Sequence, residues 1–190
     1  MIRDIIIANR SYRRFRELEL IDESMLRELV DLGRLSASTA NLQSLKYVLS
    51  FTSERNNEVF PTLAWAGYLS DWNGPAVGER PAAYIVMLLD TTISKNPFCD
   101  HGIAAQSILL GAAEKGIGGC MIGSVDKDKL RSILQIPDQY EILLVLALGK
   151  PAETVVLEDM ESGGSIKYYR DNQDIHHVPK RKLEDVILDI

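Results

Sequence analysis

Two apolar runs limit what this chain can fold into. "AAYIVMLLD", residues 82–90, and "YEILLVLALGKP", residues 140–151, each hold a continuous apolar stretch of strand length. A strand without polar alternation has no wet face, so it must be covered on both sides. Neither run is long enough to span a bilayer. A sheet covered on both faces is the middle of a three-layer architecture, of the α/β or the α+β class.

The remaining elements fit around such a sheet. Residues 2–9 read as a short helix or turn. Asp22 is placed to cap "ESMLRELVDLGRL", where Met25, Leu26, Leu29, Val30 and Leu32 make an apolar helical face. "SASTANLQS", 36–44, reads as a polar loop, and "YVLSF", 47–51, as a strand. "NNEVFPTLAWAGYL", 56–69, reads as a helix with a start or kink at Pro61. "SDWNGPAVGERP", 70–81, is the strongest loop signal and a candidate lid, carrying an exposed Trp72. Asp100 is expected to cap "HGIAAQSILLGAAEKG", a helix so apolar that it belongs in the interior or at a subunit interface. "IGGCMIGS" continues as a strand and a glycine turn, and Asp126 caps the short helix "DKDKLRSIL". After Pro151 the chain turns polar. Residues 151–190 read as an arm, with "SIKYYRD" extended and "PKRKLEDVIL" starting a final helix. The whole, 1–190, is expected to be one domain with this extension.

Composition removes several function classes. With 21 Lys and Arg against 27 Asp and Glu, the net charge is −6. This opposes general nucleic-acid or anionic-membrane binding. Cys99 and Cys120 form no CxxC pair or disulfide framework, and the apolar run in "MIRDIIIANR" is too short for a secretory h-region. The expected compartment is the cytoplasm. Neither the cysteines nor His101, His176 and His177 show a zinc spacing, so no metal is expected. No G-x-S-x-G or Cys–His arrangement indicates a protein nucleophile.

Four stretches retain chemical interest. "NRSYRRF", 9–15, concentrates three arginines in an acidic chain. It is either a solvated charge run or an anion pocket in which Arg10, Ser11 and Arg13 meet a phosphate. Ser38, Thr39, Asn41 and Gln43 can serve a planar ring or a sugar-like chain, or form an ordinary connection. "GIGGCMIGS", 116–124, lacks the dinucleotide fingerprint. Its glycines permit close backbone approach to a ligand, with the N–H groups of Gly123 and Ser124 facing a site, or they serve packing alone. Lys180, Arg181 and Lys182 form a second basic cluster, either converging on the first or lying in a free tail.

Taken in order, these stretches resemble the nitroreductase family of FMN-dependent oxidoreductases. The family's basic-Ser-x-basic opening stands as Arg10-Ser11-Tyr12-Arg13. Its P-S-x-x-N-x-Q-P-W pattern stands as Ala37 to Leu45, with Ser44-Leu45 in place of Pro-Trp. Its glycine turn stands as Gly116 to Ser124, and its basic end as Lys180 to Ile187. The resemblance implies an α+β three-layer fold with a central, mainly antiparallel sheet flanked by helices, built as an intertwined homodimer. It implies FMN as cofactor and NADH or NADPH as co-substrate. A small acceptor such as a nitroaromatic or quinone would be reduced in ping-pong order. It further implies that Arg10, Ser11, Arg13, Lys180 and Arg181 hold the phosphate and ribityl chain, and that Gly123 and Ser124 lie near the flavin ring. Ser38, Thr39, Asn41 and Gln43 would come from the second subunit. The flavin carries the chemistry, so no catalytic side chain is expected. Trp72 is the candidate contact for the acceptor. Other readings are reductive dehalogenation or flavin breakdown on the same fold, and a non-catalytic flavin- or anion-binding dimer.

Overall fold

Strands β2 (Ala83–Asp90) and β4 (Tyr140–Gly149) pair antiparallel at the centre of a four-stranded sheet. β1 (Leu45–Ser50) and β3 (Gly118–Ile122) form its edges, in the order β1-β2-β4-β3, and every pairing is antiparallel. This computed structural model describes residues 1–188. The antiparallel order decides for α+β and against α/β.

Every residue of β2 is buried. Ala83, Ile85 and Met87 face helices α2 (Glu23–Arg34) and α4 (Asp100–Glu114). Tyr84, Val86 and Leu88 face the opposite layer, which contains α3 (Ser53–Val59) and α5 (Lys127–Leu134). Fully burying each large apolar side chain contributes about 1.5–3 kcal/mol. β4 keeps the same division through a bulge. Met87 pairs with Leu144 but Leu88 pairs with Ile142, so Leu143 is an extra residue. The extra residue reverses the alternation, which puts Ile142 in the second layer beside Leu88.

The chain opens with α1 (Ile2–Ala8), and local capping follows the sequence in α2 and α5. Asp22 accepts from the Met25 N–H at 2.8 Å, and Asp126 from the Lys129 N–H at 3.1 Å. Three expectations are corrected. Residues 56–69 do not form one helix: α3 begins at Ser53, capped by Thr52, and stops at Val59. Pro61 occupies a single 3-10 turn, Phe60–Thr62, after which Leu63 is extended and bridges Val125. Asp100 does not cap its helix from outside but lies in the first turn, with Cys99 at the cap position. Finally, Pro179 and Lys180 belong to a strand rather than a helix, and only Leu183–Asp185 make a 3-10 turn.

The chain after Pro151 builds a small second sheet. β5 (Val155–Asp159) runs parallel to β7 (His176–Lys180), and β6 (Tyr169–Arg170) pairs with the start of β7. Because β6 reaches only His176 and His177, Pro179 meets no ladder on that side and its missing N–H costs nothing there.

The arm is fastened to the N-terminal segment. Phe15 is fully buried and bridges Pro151, Arg16 N–H donates to the Lys150 carbonyl at 2.8 Å, and Ala152 N–H to that of Arg14 at 2.9 Å. The Glu153 carboxylate, its side chain 2% exposed, accepts from the backbone N–H groups of Arg13 and Arg14 and from the Arg170 guanidinium at 2.8 Å. A charge this buried persists because it is paired and hydrogen-bonded. His176 is also buried and accepts from the Arg13 guanidinium at 3.3 Å. Arginine can only donate, so Nε2 is the unprotonated ring nitrogen.

Burial, reinforced by the Arg13 charge, lowers the His176 pKa to about 4. The folded state therefore binds fewer protons than the unfolded state between that value and the ordinary histidine range. His176 stabilises the fold above this window and loses its contribution as pH falls through it. His177 acts in the opposite sense, because hydrogen bonds to Asp171 and then Glu158 raise its pKa. The wild-type melting temperature minus that of His176→Gln should therefore shrink from pH 7 to pH 5, with His177 common to both proteins. Parallel pH profiles would contradict this account.

A second prediction concerns the sheet edge. A Cβ on Gly119 would sit 2.4 Å from Leu109 Cδ2 and 3.1 Å from the Ala147 carbonyl oxygen, whereas one on Gly123 would meet nothing within 4 Å. Gly119→Ala should lower stability by about 1–3 kcal/mol in urea unfolding. Gly123→Ala should stay within about 0.5 kcal/mol of wild type.

Candidate functional site

The N-terminal basic segment runs along the outer edge of the main sheet. Ser11 forms a parallel bridge with Gly119, and Tyr12 N–H donates to the Gly119 carbonyl at 3.0 Å. Residues more than a hundred positions apart in sequence are thereby brought side by side. The glycine stretch divides into two roles. Gly118 abuts Tyr12 and Pro151, and Gly119 abuts Leu109 and Leu148, so these two serve packing. Gly123 and Ser124 are exposed, and the space beside Gly123 is open. Cys120 between them is buried, and burial raises its thiol pKa, so it is no poised nucleophile.

The arginines have distinct surroundings. Arg10 donates to the Ile6 carbonyl at 2.6 Å, while its buried Nε has no partner among the described residues. Arg13 donates to the Ser11 carbonyl and to His176, both at 3.3 Å, and its guanidinium lies 4.7 Å from the Tyr168 ring centroid. Arg14 is neutralised by Glu79 and Asp174. Lys180 ends β7 and Arg181 follows it, both exposed. Strand geometry puts Lys180 about 13 Å along β7 from His176, the residue that meets Arg13. The two basic clusters thus belong to opposite ends of one strand.

The polar loop lies elsewhere. Residues 36–44 lead into β1, the sheet edge opposite β3. Three strand spacings, about 14 Å, separate those edges. One chain therefore keeps Ser38, Thr39, Asn41 and Gln43 apart from Arg10, Ser11, Arg13, Gly123 and Ser124. A cavity of about 480 Å³ opens beside the loop, lined by Ser38, Gln43, Asp100, Arg34, Lys46 and Tyr47 among others. Burial raises the Tyr47 hydroxyl pKa to about 12.

Asp100 is the residue that sequence reasoning misplaced. Its carboxylate accepts from Ser38 Oγ at 2.8 Å, Thr39 Oγ1 at 2.8 Å and Thr39 N–H at 2.9 Å. Burial opposes its ionisation, but the Thr39 N–H and then the two hydroxyls outweigh burial, and its pKa is lowered. A contact across some sixty residues leaves no periodic signal that a sequence reading could detect.

Loop 70–81 is docked on its own chain. The Trp72 ring stacks with Arg170, 4.4 Å from guanidinium carbon to ring centroid, and Arg14 lies 5.9 Å away. Gly74, at φ 102°, fits against Trp65, where a Cβ would come within 2.6 Å of the indole. Phe15 N–H donates to the Glu79 carbonyl at 2.9 Å. Among the described residues, no three His, Cys, Asp or Glu side chains are grouped to hold a metal ion. No described helix is long and apolar enough to cross a membrane.

Comparison with known proteins connects this arrangement to a family. Residues 81–150 match the family model described as "Nitroreductase family". The chain is 26% identical over 165 residues to an NADPH-flavin oxidoreductase of Vibrio harveyi, covering 78% of this chain and 65% of that protein. It is 24% identical over 163 residues to an FMN reductase (NADPH) of Bacillus subtilis strain 168, with the same 78% and 65% coverage. This chain thus spans just under two thirds of the length of both relatives. A nitroreductase family protein from Streptococcus pneumoniae TIGR4 superposes with a TM-score of 0.70 at 18% identity, covering 100% of both chains. The matched segment contains β2, α4, β3, α5 and β4, the parts that build the central sheet and its glycine edge, and over it the chain is similar to the nitroreductase family, whose fold it shares.

Proposed function

We propose that this chain binds FMN and acts as an NAD(P)H-dependent oxidoreductase on a small conjugated acceptor, such as a nitroaromatic or a quinone. The observation that carries this reading is the alignment of Arg10, Ser11 and Arg13 with the β3 edge through the Ser11–Gly119 bridge, with Arg10 Nε buried and unpartnered. An orphaned guanidinium N–H is costly unless an acceptor meets it, and a phosphate oxygen supplies one. The oxidoreductase reading draws on the relatives named for NADPH-dependent flavin chemistry.

The donor set suits the three parts of FMN. Cationic Arg10 and Arg13 with the exposed Ser11 hydroxyl suit a phosphate dianion, with Lys180 and Arg181 as further cations. The open space at Gly123 lets backbone N–H groups of Gly123 and Ser124 approach a planar ring. Ser38, Thr39, Asn41 and Gln43 complete the site from the second subunit of a homodimer. Their separation from the basic segment in one chain supports this, as does the unpartnered apolar surface of Ile2 (64% exposed) and Ile103 (42% exposed).

When bound, FMN supplies hydride acceptance from NAD(P)H and two-electron delivery to the acceptor, in ping-pong order. The protein's part is to bind and orient. Arg13 is held by the Ser11 carbonyl and by neutral His176, which leaves its remaining N–H groups available to an anion. Trp72 is proposed to meet the acceptor from its stacked position on Arg170. His176 meets Arg13 through Nε2 while its Nδ1 is buried without a partner among the described residues, and His177 is engaged by both Glu158 and Asp171.

Removing one charge-assisted phosphate contact costs about 1.5–3 kcal/mol, roughly tenfold or more in affinity. Arg10→Ala and Lys180→Ala should each weaken FMN binding by that factor in a flavin fluorescence-quenching titration. Unchanged affinity in both variants, or no quenching by the wild type, would contradict the assignment.

A further inference from the structure

The polar loop is held in a conformation that its own sequence disfavours. Ala40, Asn41 and Gln43 have φ of 49°, 56° and 52°. None is a glycine, and left-handed backbone is unfavourable for any residue with a Cβ, least so for asparagine. Such backbone persists only where the surroundings over-determine it. Here the determinant is Asp100, only 3% exposed, which receives both hydroxyl protons of Ser38 and Thr39 and the Thr39 N–H. The Ser38 oxygen in turn accepts from the Gln43 N–H at 3.0 Å, so the carboxylate governs the loop as far as Gln43.

This arrangement divides the loop's polar groups. A hydroxyl has one proton, and once given to a carboxylate it is not available to a ligand oxygen. The Ser38 oxygen is further occupied as an acceptor. The Asn41 side-chain amide, by contrast, makes no hydrogen bond among the described residues, and Gln43 is exposed with only its Nε2 engaged, by the Asn41 carbonyl at 3.3 Å.

We propose that Asp100 is a positioning residue for the FMN site: Ser38 and Thr39 act through Asp100, while Asn41 and Gln43 are the loop's contacts to the cofactor. The proposal rests on the flavin reading above and assigns separate roles within the segment that resemblance treats as one.

A mutant cycle on the full-length protein tests it. FMN dissociation constants would be measured for wild type, Asp100→Asn, the Ser38→Ala/Thr39→Val pair, and all three changes together. If the hydroxyls act through Asp100, Asp100→Asn and the pair each weaken binding about tenfold, and the triple variant is no more than about twofold worse than Asp100→Asn. Additive losses would mean that the hydroxyls touch the ligand directly and would overturn the proposal. Amide hydrogen exchange without FMN gives an independent readout. Asp100→Asn should accelerate exchange at Thr39, Asn41 and Gln43 while the β2 and β4 amides keep their protection. Unchanged exchange in the loop would also overturn it. Thr39→Val, which removes one hydroxyl and keeps the N–H contact, should show the same two effects in weaker form, so the test survives if Asp100→Asn does not fold. A wild-type chain that binds no FMN while Asp100→Asn still frees the loop would refute the flavin reading and the FMN role, but not the clamp.

Discussion

The pairing of β2 with β4, buried on both faces, is the constraint on which the rest depends. Burial of all of β2 and of β4 from Val145 to Gly149 requires two helical layers, and the alternation of side chains assigns each residue to one of them. The bulge at Leu143 keeps that assignment consistent along the full length of β4. With the centre fixed, β1 and β3 become opposite edges, and whatever attaches to each edge is kept apart within one chain. The basic segment follows β3, and the polar loop precedes β1. In the proposed homodimer, a ligand that needs both draws the basic segment from one chain and the polar loop from the other.

The second organising interaction is Glu153. A buried carboxylate gathers the backbone of Arg13 and Arg14 and the guanidinium of Arg170. This fastens the arm to the segment that carries the candidate phosphate contacts. Charge concentrated in "NRSYRRF" therefore serves two ends. Arg14 and the backbone of the segment bind the protein to itself, while Arg10 and Arg13 keep donor capacity. A solvated charge run would show no such buried acceptor.

Legibility in the sequence followed the range of the interactions. The central strands, α2, α5 and the caps at Asp22 and Asp126 were readable because periodicity and capping act within a few residues. Pro61 suggests a helix start or kink, but it lies in the 3-10 turn just beyond the end of α3 and neither starts nor bends a helix. Local preference suggests a helix at Pro179 and Lys180, but their conformation is set by β5, more than twenty residues earlier. The position of Asp100 before an apolar helix suggested a cap, whereas its true partners lie in the loop 36–44. The glycine stretch looked uniform, yet Gly119 faces a filled core and Gly123 an open edge. That distinction depends on Leu109 and Leu148, which only the fold brings near.

The central claim, a flavin-binding chain reduced by a pyridine nucleotide, is tested most directly by visible absorption spectroscopy. The purified protein would be titrated with FMN, freed of excess cofactor, and then treated with NADH or NADPH under nitrogen. The account predicts that FMN is retained, that its long-wavelength band is bleached by at least one of the two nucleotides, and that a quinone restores the band. Retained FMN that neither nucleotide bleaches would reduce the chain to a flavin-binding module, and a protein that retains no FMN would contradict the account at its root.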